Sequence, residues 1–375
     1  MRVGIITSDL YESSRGTGLS HYITTLLENV GQIDKENEYV LFHRDNSSNP
    51  IYDNFEHIEY GRYMPSHIPS FIAWEIAFLR ALRRSPVDVL HSPDVPGLPL
   101  LSNAPKNVVT FHDAGPFLYP AHYSLKGHAS WRTRAPIALR RADAVIADTN
   151  SAKSEICGVF PYLCAKIKVI YLGITPDFHP QSEGKTEEVL QRLGISRPYI
   201  LMHTMHRWNK NTLGALKIFY DARQAAGMKE FALVLSGGMP DDLCDRVKHM
   251  AASLGVADNV VVTGWINDSD VPYLMSGAYA MLYPSLHEGF GLPVLEAMMC
   301  GTPVVALCIP VLAEVLGNAG VYGPNMEMLS ARLAEMMADQ SMKLYFSARS
   351  LRNSMKFSAK EMALETVAVY SEVAG

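Results

Sequence analysis

The chain lacks any apolar run long enough to cross a bilayer, which takes about 18 uncharged apolar residues. Its best candidate, Phe71 to Leu82, is broken by Glu75 and Arg80 and followed by Arg83 and Arg84. Positive charge is not in excess either. There are 33 lysines and arginines against 38 acids, and neither half of the chain is basic, so the electrostatic footprint of a nucleic-acid-binding protein is missing. Cysteine is scarce: the five residues Cys157, Cys164, Cys244, Cys300 and Cys308 are odd in number and show no CxxC or Cys/His ligand spacing. They read as reduced, buried thiols of an intracellular protein. The first apolar run, in MRVGIITSDLYESS, meets Asp9 and Glu12 too early for a signal peptide and reads as a strand. No low-complexity tract and no short-period repeat is present. A cytoplasmic protein without nucleic acid as a partner is the expectation.

What remains is the composition of a globular chain, 48% hydrophobic and 19% charged. At roughly 100 to 200 residues per domain, 375 residues argue for two domains. Short β-branched runs alternate with amphipathic segments throughout. Val3–Thr7, Tyr39–His43, Val87–His91, Asn107–Phe111, Ala144–Ala147 and Ile167–Ile170 form a first series of strands. After a polar stretch, Pro176 to Lys185, a second series runs through Pro198–His203, Phe231–Ser236, Val260–Thr263, Ala280–Tyr283 and Pro303–Ala306. This βαβ alternation predicts parallel sheets covered by helices, arranged as two Rossmann-like doubly wound domains facing a cleft: 1–180 and 181–355. Ligands bind such sheets at the carboxyl ends of the strands, so the polar residues there carry the functional reading.

The most informative of these ends is the stretch Tyr283-Pro-Ser-Leu-His-Glu-Gly-Phe-Gly-Leu-Pro-Val-Leu-Glu296, followed by Gly301-Thr-Pro-Val-Val305. A strand closes at Tyr283, and a helix opens near Gly291 with Pro293 in its first turn, where proline is tolerated. The amides of Gly289, Phe290, Gly291 and Leu292 then offer an anion, phosphate being the one expected, the positive end of a helix. Glu288 precedes that helix and Glu296 lies one turn inside it, so both carboxylates can face one ligand. Carboxylates suit sugar hydroxyls because each oxygen accepts from adjacent O–H groups. Without its flanks the stretch also reads as a glycine loop with two incidental glutamates.

With its flanks the stretch resembles the E-x7-E signature of family 4 of the retaining glycosyltransferases, enzymes of the GT-B architecture. Weaker likenesses extend over most of residues 1–325. Gly16-Thr17-Gly18 resembles the family's N-terminal glycine loop near the donor diphosphate. Thr110-Phe-His112-Asp113 resembles its His-Asp element, whose histidine stands beside the donor sugar; a capping His-Asp pair is the alternative. Asp148-Thr-Asn-Ser151 is similar to a strand-to-helix turn capped by Ser or Asn. Val262-Thr-Gly-Trp-Ile266 is similar to the strand and loop against which the base lies, making Trp265 and Ile266 base contacts or plain packing residues. The resemblance also implies that a last helix, 356–375, returns to the first domain.

One departure stands out. Where the family has Arg-Lys-Asn to grip the diphosphate, this chain reads Asn209-Lys210-Asn211, with Arg207 two residues upstream and Thr204 in place of a glycine. Lys210 is then the side-chain cation, with Arg207 as a candidate substitute for the missing arginine. Asp268-Ser-Asp270 is formally a D-x-D metal signature, but after a strand and Gly264 it reads as a helix cap at Asp268. His203-x-x-His206 lacks a third zinc ligand and reads as cleft lining. No metal and no cofactor are expected beyond the nucleotide sugar itself.

By that resemblance the chain is a retaining, metal-independent hexosyltransferase acting from a GDP- or UDP-sugar onto a saccharide or lipid-linked acceptor, with surface-polysaccharide mannosyltransferases the nearest in pattern. His112, Glu288 and Lys210 carry the chemistry. Gly16, Thr17, Gly289 to Leu292, Glu296, Ile266 and Arg207 hold the nucleotide. A sugar-nucleotide 2-epimerase and a non-catalytic sugar-nucleotide-binding protein are the competing classes. The amphipathic segment Phe71 to Arg84 reads as a core helix or as a peripheral membrane contact.

Overall fold

The computed structural model describes residues 1–7, 18–44, 55–65, 70–101, 104–123 and 125–375. The chain divides into two units, one of Met1–Gly173 with Phe357–Gly375 and one of Ile174–Lys356.

In the first unit, β1 (Arg2–Ile6), β2 (Glu38–His43), β3 (Glu56–Glu59), β4 (Val89–Ser92), β5 (Lys106–Thr110), β6 (Ala144–Ala147) and β7 (Ile167–Val169) form one sheet in the order β3-β2-β1-β4-β5-β6-β7. Every neighbouring pair is parallel. The second unit repeats the plan with β8 (Tyr199–His203), β9 (Ala232–Ser236), β10 (Val260–Gly264), β11 (Ala280–Tyr283), β12 (Val304–Leu307) and β13 (Gly320–Gly323), ordered β10-β9-β8-β11-β12-β13 and again parallel. The central strands are short, uniformly apolar and buried along their length, as a sheet covered on both faces requires. Two strands went unread in the sequence, β3 (EHIE) and β13 (GVYG), and both lie at sheet edges. An edge strand is paired on one side only and tolerates charge and glycine.

Apolar residues pack against each sheet, among them a core around Phe42, Phe78, Phe111 and Leu139 in the first unit and one around Phe219, Leu235, Leu282 and Met336 in the second. Helix starts are fixed by short side chains. Thr149 caps Asn150–Val159, Asn325 caps Met326–Ala338 and Ser358 caps Ala359–Ala374. The cap at 148–151 is therefore the threonine, not Asn150 or Ser151. Ala359–Ala374, the last helix, packs on the helix Gly18–Ile33 of the first unit. Its fully buried Tyr370 brings a hydroxyl within 2.6 Å of His91 Nδ1.

The helix Ser70–Arg84 turns Phe78 and Leu82 into the core. Its buried Glu75 is held by Arg134 at 3.0 Å and accepts the amides of Leu100 and Leu101. Phe71 and Ile72, at its start, remain exposed.

The cysteines depart from expectation. Cys157 and Cys164 form a disulfide across Cα atoms 5.3 Å apart, because a 3-10 turn folds the chain back after the helix Asn150–Val159. Of the other three, Cys300 is buried and Cys308 is exposed. No helix among the described residues is long and apolar enough to cross a membrane.

Candidate active site

In the second unit the strand order reverses between β8 and β11, which pair with each other. Loops leaving the carboxyl ends of two such strands diverge and leave a crevice, where doubly wound sheets bind ligands. The loop after β8 carries Lys210 and the loop after β11 carries Glu288. Lys210 Nζ donates to Glu288 Oε1 at 2.5 Å and to the Tyr283 hydroxyl at 2.9 Å. Ser285 Oγ adds a second donor to the same carboxylate oxygen at 2.6 Å. Both charged side chains are largely buried, at 12% and 8% exposure, so the attraction is little screened. Burial, and then the negative charge of Glu288, keeps the Tyr283 phenol well above its ordinary value and therefore neutral.

Asn209, the residue in place of the family's arginine, stitches the two loops together. Its side-chain amide donates to the His287 carbonyl at 2.9 Å, and its backbone carbonyl accepts from Leu286 N and lies 2.9 Å from Ser285 Oγ. Asn211 adopts the left-handed conformation (φ 56°) just before the helix Thr212–Ala226, a backbone state asparagine tolerates better than most residues. Arg207 is exposed and makes no ion pair among the described residues.

Gly289, Phe290, Gly291 and Leu292 are buried at the start of the helix Leu292–Met299. Gly291 has φ 94°, a value that residues with a Cβ adopt only under strain, which fixes glycine at this turn. Glu296 is buried one turn in. Burial, and then the nearby charge of Asp268, pushes its carboxyl up to about 8. Asp268 is thus a source of negative field beside Glu296 and not the cap that sequence suggests: it opens a 3-10 turn whose N-cap is Asn267, with no side-chain cap bond. Its companion Asp270 pairs with Arg192 at 2.6 Å.

Ile266 is half-buried after Trp265, whose exposed ring lies so close to Gly238 that a Cβ there would come within 2.8 Å of it. The two histidines at the end of β8 and in the loop after it are engaged locally. His206 bonds Thr212 Oγ1 and the Ser236 carbonyl, and burial lowers it to about 4, while His203 Nδ1 lies 3.2 Å from Ser236 Oγ. Among the described residues no group of three His, Cys, Asp or Glu side chains is gathered as metal ligands would be.

In the first unit His112 follows β5. Its partner is not the adjacent Asp113, which accepts the Gly115 amide at 2.7 Å, but Asp148 at the end of β6, with Nδ1 2.7 Å from Asp148 Oδ2. Nε2 lies 3.0 Å from the Pro93 carbonyl, and Tyr22 packs edge-on against the ring. Gly16 and Thr17 lie outside the described residues.

The structure therefore joins Lys210 to Glu288 directly. The participants that sequence reasoning missed are Ser285, Tyr283, Asp148 and the Pro93 carbonyl. Tyr283 and Ser285 lay inside the recognised stretch and Asp148 in the turn 148–151; Tyr283, Asp148 and the Pro93 carbonyl became partners only through strand neighbours far apart in the chain.

Two doubly wound units, the second with a lysine and a carboxylate converging at its switch point, are the hallmarks of a GT-B glycosyltransferase. Residues 186–361 match the family described as Glycosyl transferases group 1, and residues 17–178 match Glycosyltransferase Family 4. The chain is 31% identical over 268 residues to O-antigen chain mannosyltransferase B of Escherichia coli, spanning 70% of this chain and 69% of that protein. It is 30% identical over 225 residues to O-antigen chain mannosyltransferase RfbU of Salmonella typhimurium, spanning 60% of this chain and 58% of that one. Among solved structures, HepE of Anabaena in complex with UDP and glucose superposes with a TM-score of 0.78 at 17% identity over 99% of both chains. WaaG, a glycosyltransferase involved in lipopolysaccharide biosynthesis, gives 0.75 at 16% identity over 98% of this chain and 99% of that one. The chain belongs to this family of glycosyltransferases, and its fold is GT-B.

Proposed function

We propose that the protein is a retaining mannosyltransferase that moves mannose from GDP-mannose to a saccharide or lipid-linked acceptor in the assembly of a surface polysaccharide. The observation that carries the reading is the Lys210–Glu288–Ser285 cluster at the switch point of the second sheet, next to the glycine-led helix start. The likeness to two O-antigen mannosyltransferases supports the sugar.

As it stands, Lys210 and Glu288 neutralise each other. A nucleotide-diphosphate sugar supplies a partner for each: phosphate for the ammonium, sugar hydroxyls for the carboxylate. Exchanging partners costs little solvation, since neither charge is released into a dry site unpaired. Negative charge grows on the leaving phosphate as the glycosidic bond breaks, so Lys210 and the amides at Gly289–Leu292 stabilise the transition state more than the ground state. Glu288 orients the sugar and Glu296 the ribose. Trp265 and Ile266 take the base, and the resemblance assigns His112 to the sugar. The departing phosphate oxygen can itself take the acceptor's proton, so retention needs no enzymatic nucleophile, and no metal is assigned a part. Under the same reading residues 1–173 bind the acceptor and 174–356 the donor. The protein works at the cytoplasmic side of the membrane, in peripheral contact through exposed Phe71 and Ile72 with Arg80, Arg83 and Arg84 on the same helix.

The test is transfer from a panel of sugar nucleotides in the presence of EDTA. GDP-mannose should be the preferred donor, and activity should persist in chelator. Turnover of the donor without acceptor into an epimer would overturn the transferase reading. Loss of activity in EDTA restored by manganese would overturn the metal-free one. The complex of HepE with UDP and glucose favours a second reading, a UDP-hexose donor, which the same panel decides.

A further inference from the structure

Three histidines at strand ends have both ring nitrogens engaged, and the chemistry of their partners differs. His91 meets two hydroxyls, Tyr370 at 2.6 Å and Thr110 at 2.8 Å. A hydroxyl can donate or accept, so a neutral ring satisfies both. His206 meets one hydroxyl, Thr212 at 2.9 Å, and one carbonyl, Ser236 at 3.2 Å, which suits the neutral Nε2–H tautomer. His112 meets the Asp148 carboxylate at 2.7 Å and the Pro93 carbonyl at 3.0 Å. Both of these only accept. Two N–H donors are required, and only the imidazolium has two.

The surroundings agree. Asp148 is 1% exposed, and its other oxygen has no hydrogen-bond partner among the described residues, so the ring is the main compensation for its buried charge. Asp94, after β4, and Asp113, after β5, add negative field, and among the described residues the ring also faces Tyr22 and the neutral His91. Burial pulls His112 down, but the charge and hydrogen bond of Asp148, and then Asp94 and Asp113, outweigh it and bring the ring to about 9.

We propose that Asp148 is a positioning residue that holds His112 as an imidazolium at neutral pH, with both N–H groups committed to protein acceptors. A ligand seated against that ring meets fixed positive charge and no basic nitrogen. His112 is thereby excluded as a general base. The bearing of this on turnover rests on the transferase reading above; the protonation state does not.

The experiment is nitrogen-15 NMR of the histidine rings in the full chain, with His112→Asn used to assign the resonance. Two equivalent protonated nitrogens should persist for His112 from about 6.5, the ordinary histidine value, up to a midpoint near 9. In Asp148→Asn burial prevails, and the midpoint should fall by at least about two pH units. Transfer by Asp148→Asn should then decline as pH rises through the lowered midpoint, while Asp148→Glu, which keeps the charge, should restore the flat profile. A wild-type ring with one bare nitrogen at neutral pH, or a midpoint unmoved by Asp148→Asn, overturns the proposal. Should Asp148→Asn fail to fold, the wild-type spectrum decides by itself. Absence of transferase activity alongside an imidazolium spectrum would sink the functional reading and leave this one standing.

Discussion

A lysine and a glutamate buried side by side cannot be separated without cost. Lys210→Ala leaves Glu288 in a site where its charge is almost unsolvated, with the Ser285 hydroxyl still donating to it, and should lower stability by on the order of 3 kcal/mol. It should also lower turnover at saturating donor by roughly tenfold to a hundredfold, the worth of one charge-assisted bond to the leaving phosphate. The two effects separate in the double variant Lys210→Met with Glu288→Gln. Removing both charges together should recover much of the stability in a thermal melt and none of the turnover. Full activity in Lys210→Ala would refute the phosphate-grip assignment. Arg207 gives the contrast. Exposed and without an ion pair among the described residues, it should be nearly silent when changed to alanine, within about 0.5 kcal/mol in stability and with kcat unaltered. A severe loss, non-additive with Lys210→Ala, would show instead that it has taken over the missing arginine's task.

At the scale of the element, the last helix is the clearest case of structure made by distant parts of the chain. It buries Met362, Ala363, Thr366, Val369 and Tyr370, and it ends on a hydrogen bond to a histidine 279 residues earlier. Tyr370→Phe keeps the apolar seat and deletes only the hydroxyl, leaving His91 Nδ1 buried without its partner. The expected cost is about 1–3 kcal/mol, read as a lowered Tm of the transition belonging to the first unit. An unchanged Tm would mean that the contact contributes nothing net. Central strands such as β6 and β11 announce themselves because they are buried on both faces and must be apolar throughout, whereas β3 and β13 do not. The same holds for caps: the choice of Thr149 over its neighbours was set by the backbone, which placed that hydroxyl 2.9 Å from the Ala152 amide.

At the scale of the whole molecule, four buried groups among the described residues shape the pH dependence of stability near neutrality. His91 and His206 are lowered to about 3 and about 4, so the unfolded chain binds protons there that the folded chain does not, and stability rises with pH up to the ordinary histidine value of about 6.5. Glu296 and His112 are raised to about 8 and about 9 and act in the opposite sense. Their folded forms keep protons that the unfolded chain releases, so stability is lost as pH rises through these values. Between about 4.5 and 6.5 the rise from the two histidines outweighs the fall from Glu296; above 6.5 only the losses remain, each near 1.4 kcal/mol per pH unit per proton. Tm should therefore peak near pH 6.5 and decline toward pH 9. Glu296→Gln should flatten the part of that decline below pH 8 in the transition of the second unit. A Tm that climbs from pH 6.5 to 8 would contradict both raised values.

The sequence by itself determined the fold class, the two-unit plan and the residues of the Tyr283–Glu296 stretch, because strand period, glycine punctuation and motif spacing are local properties that survive without coordinates. It also held Lys210, Glu288 and His112 as polar residues at strand ends. What it did not hold was pairing. That Asn209 would stitch two loops, that Asp268 would raise Glu296 and not cap a helix, that Cys157 would meet Cys164, and that His112 would choose Asp148 over its neighbour Asp113 all depended on tertiary structure. The parallel sheet sets strand ends side by side that lie tens of residues apart in the chain, so the partner of a side chain, and with it that side chain's charge, is fixed by strand order and not by distance along the sequence.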